Sequence, residues 1–161
     1  MSDQQPTTVR ETLRLMDESF DTFSAAAARL SAEEMNERLG EEAWTRKQML
    51  NHVATWHDLA TDRLIAFGAS GKPIDLDEED DAVNARAARV AEGKTAGEVL
   101  DAVSASYRRL RRHVANLADR QLAAADGWPA GIIAGNTYEH YAAHAADVQG
   151  AEGGDPALSS P

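Results

Sequence analysis

The sequence of 161 residues contains no cysteine. This absence excludes disulfide bonds, a thiolate nucleophile and any metal site with thiolate ligands. A bound metal would need histidine, carboxylate or water as its ligands. Aromatic residues are also scarce, at 6% of the chain, whereas hydrophobic residues make up 43%. Because alanine supplies much of that share and alternating β-branched runs are few, the composition favours closely packed helices over a sheet.

Positive charge is in short supply as well. Lysine and arginine together number 16 against 27 acidic residues, which gives a net charge of -11. Nucleic acids and anionic membranes are bound by concentrated positive fields, so this balance argues against both as partners. No apolar run reaches the length of a membrane span, and the first ten residues are too polar for a signal peptide. We therefore expect a soluble, cytoplasmic protein.

The length of the chain predicts one domain. We place it at residues 7–150, with a flexible N-terminal segment at 1–6 and a disordered tail at 151–161. Apolar residues recur at helical spacing, and capping boxes begin several of the segments that carry them. The predicted fold is an all-α four-helix bundle with short extra helices in its connections. Its four main helices are predicted at 9–30, 45–67 with an end at Gly68, 95–117, and 136–147.

The connections between these helices are predicted from their breaks in periodicity. Residues 68–81 contain an acidic run that we interpret as solvated, and residues 82–91 form a short helix with Asn84 at its start. Residues 118–135, which are rich in glycine, are predicted to be a linker. Trp128 in that linker is expected either to line a pocket or to dock onto the bundle.

Two histidines, His140 and His144, are four residues apart on the last predicted helix. Side chains at this spacing share a helix face and lie one turn apart, so both rings can bind one ion. Asn136 is predicted to cap the start of this helix, with Glu139 completing a capping box, and Gly150 is predicted to mark its end. The alternative is a polar edge or a packed pair without metal.

His52 offers a third imidazole from another helix, which begins with the capping box of Thr45 and Gln48. Three neutral imidazoles with an open position suit zinc, or a similar divalent ion such as nickel, with a bound water. His57 points about 140° away from His52 around the helix, so we leave it out of the site. The alternative for His52 is a histidine satisfied by a polar neighbour at the edge of the core.

The order and spacing of these motifs, taken together, resemble those of a known protein family. Trp44-x7-His52-x3-Trp56, then Asn84, then Asn136-Thr-Tyr-x-His140-Tyr-x-x-His144 resemble the DinB/YfiT-like superfamily of four-helix-bundle proteins. Within that superfamily the likeness is to the DfsB/ClbS branch. It runs from about residue 8 to residue 150, and its strength lies in the order and separation of short motifs.

The resemblance implies a divalent metal held by His52, His140 and His144. It also implies a substrate pocket, for which we select Trp44, Trp56, Asn84, Trp128 and Tyr141, although core packing is the alternative for each aromatic residue. Asp147, three residues after His144, is a candidate catalytic residue because its carboxylate could bond a ligand imidazole or a bound water. Tyr138 is the second candidate catalytic residue.

The activities of the superfamily imply two expectations for function. The first is a metal-dependent enzyme that acts on reactive small molecules, either by hydrolysis or with a low-molecular-weight thiol such as mycothiol, in detoxification or self-resistance. The second is a metal-free protein that sequesters such a molecule. We expect a small-molecule substrate and a possible homodimer as partners, because dimers are the commonest soluble assembly.

Overall fold

The computed structural model describes residues 5–41 and 43–150. Part of the predicted flexible segment, residues 1–4, and all of the predicted disordered tail, 151–161, lie outside this range. The described residues form α-helices and one closing 3₁₀ turn, and the only β feature among them is an isolated bridge between Arg38 and Thr45. The all-α prediction is therefore confirmed. The elements are α1 (Val9–Ala28), α2 (Ala32–Met35), α3 (Arg46–Ser70), α4 (Asp80–Glu92), α5 (Ala96–Ala115), α6 (Asp119–Leu122), α7 (Ala124–Asn136), α8 (Tyr138–Ala143) and a 3₁₀ turn (Ala145–Val148).

Four helical rods surround one core, because each presents an apolar stripe that only its neighbours can cover. The rods are α1, α3, α5 and the interrupted pair α7 and α8. α3 packs against α5 and α7, while α1 packs against α5 and α8. The short helix α4 lies outside this ring against α3. Among the described residues, no helix combines the length and the apolar character needed to cross a membrane.

Capping boxes are formed at the starts of α2, α3 and α5, and the one at Thr45 is the box predicted before His52. Ser31, Thr45 and Thr95 each accept a hydrogen bond from the backbone N–H three residues on, and the acid or amide at that position bonds back. Each box pairs two backbone groups that a helix start would otherwise leave unsatisfied. The cap residue Thr45 lies seven residues before His52, so this box fixes the start of the helix that carries a predicted metal ligand.

The end of α3 and the start of α4 differ from the prediction. α3 continues through Gly68 and ends at Gly71, which has a φ of 72°. A left-handed C-cap favours glycine, which adopts positive φ without a steric penalty. Gly71 has this conformation whereas Gly68 is helical, so the helix ends at Gly71. α4 begins at Asp80, so Asn84 lies inside the helix and not at its start.

The predicted linker at 118–135 is wrong, because most of it is helical. Residues 125–127 adopt left-handed backbone conformations, and the chain then continues as the body of α7. Pro129 stands at the beginning of that body, where a missing backbone N–H costs no hydrogen bond. Ile133 and Ala134 from this segment are completely buried, and they complete the fourth wall of the core.

The predicted cap at Asn136 is also wrong. Asn136 is the last residue of α7, and its amide donates to the carbonyl of Ile132 at 2.8 Å. The buried Thr137 separates α7 from α8 with a φ of -127° and a ψ of -107°. The Glu139 side chain accepts a hydrogen bond from Gln5, and α8 ends at Ala143, well before Gly150.

A completely buried histidine, His57, ties three rods together at the centre of the core. The Ser106 hydroxyl donates to the Val103 carbonyl and accepts from His57 Nδ1–H at 2.8 Å. His57 Nε2 then accepts from the Tyr141 hydroxyl at 2.6 Å. One neutral tautomer satisfies every polar atom in this chain of bonds, as a buried polar network requires.

Burial lowers the pKa of His57 from 6.5 to about 3, so we expect acid to destabilise the protein through this residue. The unfolded chain takes up a proton near pH 6.5 whereas the folded chain does not. The stabilisation is therefore complete above pH 6.5 and is lost as the pH falls toward 3, by up to about 1.4 kcal/mol per pH unit. Urea unfolding in EDTA between pH 7.5 and 5 will measure this slope.

The matched variant for this experiment is His57→Gln, which lacks the titrating ring. We expect its free energy of unfolding to fall less steeply with decreasing pH than that of the wild type. The two slopes should differ by up to about 1.4 kcal/mol per pH unit, the contribution of one proton. Parallel curves for the two proteins would contradict a neutral buried His57.

Candidate metal centre

His52, His140 and His144 converge where α8 approaches α3. One nitrogen from each ring lies within 4.8 Å of one nitrogen on each of the other two. His52 Nε2 and His140 Nε2 are 2.9 Å apart. Zinc–nitrogen bonds of about 2.1 Å place the nitrogens of a tetrahedral site roughly 3.4 Å apart, a spacing that these separations bracket.

Asn84 fixes the orientation of His52. Its Oδ1 accepts a hydrogen bond from His52 Nδ1–H at 2.9 Å and another from Trp56 Nε1–H at 2.7 Å. Because Trp56 can only donate, the amide oxygen is assigned to this side of Asn84. His52 therefore carries its proton on Nδ1 and keeps the Nε2 lone pair for the cluster.

Asp147 does the same for His144. Its Oδ2 accepts a hydrogen bond from His144 Nδ1–H at 2.7 Å. A carboxylate acceptor on Nδ1 leaves the Nε2 lone pair available, as outer-shell carboxylates do for metal-binding histidines. Two of the three rings are thus held in the tautomer that a ligand needs.

His140 and His52 are neutral at physiological pH. Burial, reinforced by the neighbouring histidines, lowers the pKa of His140 to about 3, and burial lowers that of His52 to about 4. His140 Nδ1 is buried and has no hydrogen-bond partner among the described residues. Neutral imidazoles are strong ligands for zinc and nickel. The donor set therefore fits a divalent ion.

Two cavities adjoin the cluster on different sides. One, of about 250 Å³, is polar, and its lining residues are His52, Trp56, Asp80, Asn84, Gly135, Asn136 and His140. The other, of about 380 Å³, has an apolar wall, and its lining residues are Leu39, Ala43, Trp44, Met49, His144 and Asp147. The structure thus brings Trp44, Trp56, Asn84 and Asp147 from the predicted set to the three histidines.

Three predicted site residues lie elsewhere. Tyr141 is 3% exposed and lies in the core, where its ring contacts Phe23 of α1 and its hydroxyl bonds His57. The Tyr138 hydroxyl donates to Gln5 at 2.6 Å. Trp128 stacks on Phe67 near the end of α3, with ring centroids 5.1 Å apart. These residues pack the bundle because the faces of α7 and α8 that carry them do not face the cluster.

Three residues of the polar cavity were not selected from the sequence, and two of them, Asp80 and Asn136, have polar side chains. Asp80 belongs to the acidic run that we interpreted as solvated, and Asn136 was interpreted as a helix cap. The signal available for Asp80 is its position four residues before Asn84, since residues at that spacing share a helix face. No comparable signal marks Asn136, because the break at Thr137 that directs it is not visible in the sequence.

Comparison with known proteins agrees with this fold. The model of the DinB superfamily matches residues 15–147. A crystal structure of an uncharacterised protein from Escherichia coli UTI89 is similar, with a TM-score of 0.74 at 17% identity, covering 91% of this chain and 94% of that one. At this identity the likeness concerns the fold alone. The comparison with curated proteins gave no match.

The family match spans all four rods of the bundle and includes the three converging histidines. This match, together with the helical fold and the histidine cluster, shows that the chain belongs to the DinB superfamily.

Proposed function

We propose that this protein is a metal-dependent enzyme that acts on electrophilic small molecules, by hydrolysis or by transfer of a thiol. The observation that carries the proposal is the convergence of three histidines, two of which have their Nδ1–H groups bonded to oxygen so that Nε2 stays free. A packed histidine pair has no need of two such orienting partners. The resemblance to the DfsB/ClbS branch supports the same class of activity.

His52, His140 and His144 would hold the ion, with zinc or nickel suiting three imidazoles. The chemistry that such an ion supplies is deprotonation of water or of a thiol near neutral pH. His52 and His140 contribute by staying neutral and keeping their lone pairs. Asn84 and Asp147 contribute by holding two of the rings in the tautomer with Nε2 unprotonated.

The two cavities supply different surfaces for a substrate. The Asn84 side-chain oxygen accepts hydrogen bonds from both His52 and Trp56. The Asn84 amide nitrogen faces the polar cavity and makes no hydrogen bond among the described residues. That N–H₂ group is a donor for a carbonyl or leaving-group oxygen. In the other cavity Leu39, Trp44 and Met49 offer apolar surface. An uncharged electrophile with one polar and one apolar end suits this pair of surfaces.

The test is metal analysis of the full chain purified without a histidine tag, followed by two assays. Hydrolysis is measured with p-nitrophenyl acetate. Thiol transfer is measured with mycothiol and 1-chloro-2,4-dinitrobenzene, in which the thiolate sulfur bonds the aryl carbon and chloride leaves. We expect near-stoichiometric metal and a catalysed rate in one assay, abolished by 1,10-phenanthroline and restored by zinc.

Two results would overturn the proposal. Protein that takes up neither zinc nor nickel has no metal centre. Metal-loaded protein that binds the electrophile without turning it over in either assay is a sequestering protein and not an enzyme.

A further inference from the structure

His144 lies beyond the end of its helix. α8 ends at Ala143, and His144 has a φ of -104° and a ψ of 10° before the chain enters the 3₁₀ turn. Its backbone N–H still donates to the His140 carbonyl at 3.1 Å, so the last turn of α8 holds the backbone at this point. That bond does not set the side-chain torsions of His144, so contacts outside α8 must set the direction of its ring.

Asp147 supplies the direct restraint. Its carboxylate accepts from His144 Nδ1–H at 2.7 Å, and its own backbone N–H donates to the His144 carbonyl at 3.0 Å. The ring and the backbone of His144 are both tied to the 3₁₀ turn. The direction of the His144 ring therefore depends on the position of that turn.

The Arg46 guanidinium holds the turn to the rest of the molecule. Its Nε donates to the Asp147 carbonyl at 2.9 Å, and its Nη2 donates to the Gln149 carbonyl at 2.9 Å. Its Nη1 donates to the Glu34 carbonyl at 3.1 Å. The side chain is 15% exposed, so water competes weakly for these donors. Three segments distant in sequence meet at one side chain.

Arg46 is the first residue of α3, the helix that also carries His52. The same rigid rod therefore presents one ligand and anchors the turn that orients another. We propose that Arg46 is a positioning residue of the metal centre, which acts through Asp147 to set the ring of His144. This inference rests on the proposed function, in which the three histidines hold a metal.

The geometry requires arginine and not merely a positive charge. A planar guanidinium presents several N–H groups in a fixed fork, which matches two carbonyls of one turn and a third from α2. A lysine ammonium can follow one of these carbonyls but cannot reproduce the fork. Charge alone predicts the opposite effect on metal binding, because removal of a nearby cation should favour a bound dication.

The experiment measures two properties: zinc affinity, by competition with a chelator, and the absorption spectrum of the cobalt-substituted protein. The proteins compared are wild type, Arg46→Lys, Arg46→Gln, Asp147→Ala and the double variant Arg46→Lys/Asp147→Ala. We expect each single variant to bind zinc about 10- to 100-fold more weakly, as loss of an outer-shell partner does, with a changed cobalt spectrum. The double variant should bind zinc about as weakly as Asp147→Ala alone, because Arg46 acts through Asp147 and has no further effect once Asp147 is gone.

The matched control is Arg111→Lys, which breaks the two-point bond of Arg111 to Asp17 between α5 and α1. We expect it to lower the melting temperature without changing zinc affinity. Wild-type affinity in Arg46→Lys, tighter binding in Arg46→Gln, or losses that add fully in the double variant would each overturn the inference.

A metal-free measurement separates this inference from the proposed function. Imidazole ¹⁵N shifts of His144 in EDTA should report one tautomer, with the proton on Nδ1, in wild type and a mixture of tautomers in Arg46→Lys. If wild type binds no metal, the proposed function fails while this result still decides whether Arg46 positions His144. Identical His144 shifts in the two proteins would overturn the role of Arg46.

Discussion

Replacement of His140 with alanine is expected to abolish stoichiometric metal binding. The variant removes one of three nitrogen ligands, so the loss in zinc affinity should exceed the roughly 100-fold that loss of an outer-shell partner costs. His52 Nε2 would lose its neighbour at 2.9 Å, and the two remaining imidazoles form an incomplete site. Chelator competition and elemental analysis of the untagged protein are the measurements.

The matched control for that experiment is His113→Ala. His113 lies near the end of α5 and is not a member of the cluster, so the variant removes an imidazole of the same size without touching the site. We expect it to retain wild-type zinc affinity. The ligand assignment is wrong if His140→Ala still binds one equivalent of zinc as tightly as His113→Ala.

The second large effect is expected at His57. His57→Ala empties a site with no exposed surface and leaves the Tyr141 hydroxyl without its buried acceptor. Loss of a buried ring together with its hydrogen bonds should lower the free energy of unfolding by about 3–5 kcal/mol. Urea unfolding at pH 7.5 in EDTA measures the change without a contribution from bound metal.

Tyr141→Phe is the companion variant, because it removes one hydroxyl and leaves the ring in place. His57 Nε2 then lacks a donor, and we expect a loss of about 1–3 kcal/mol, the cost of one unsatisfied buried acceptor. Neither variant should abolish zinc binding, since neither residue is in the cluster. A loss below 1 kcal/mol for His57→Ala would show that the network contributes little to stability.

The histidine cluster was predictable because its signals are local. The four-residue spacing of His140 and His144 places both on one helix face, and the capping box at Thr45 fixes the helix that presents His52. Whether helices distant in the chain bring these rings together is a tertiary fact. The resemblance to a known superfamily supplied that step, and in the structure one nitrogen of each ring lies within 4.8 Å of the others.

The last third of the chain was less predictable, because its conformation depends on two backbone departures. Left-handed residues at 125–127 let Pro129 begin a helix where glycine and proline content predicts a linker. The break at Thr137 then turns α8, so that His140 faces α3 while Tyr141 enters the core. Neither departure has a side-chain signature, since positive φ at Ala125 and Asp126 is uncommon for such residues.

The break at Thr137 has a consequence for how the protein would open. It separates the segment that carries His140, His144 and Asp147 from the body of α7. This segment can therefore detach while α1, α3, α5 and α7 remain packed, with loss of the Tyr141–His57 hydrogen bond. In D₂O the backbone amide hydrogens of residues 138–148 should then exchange faster than those of α3 and α5. A bound ion would bridge this segment to α3 and slow that exchange in proportion to its affinity.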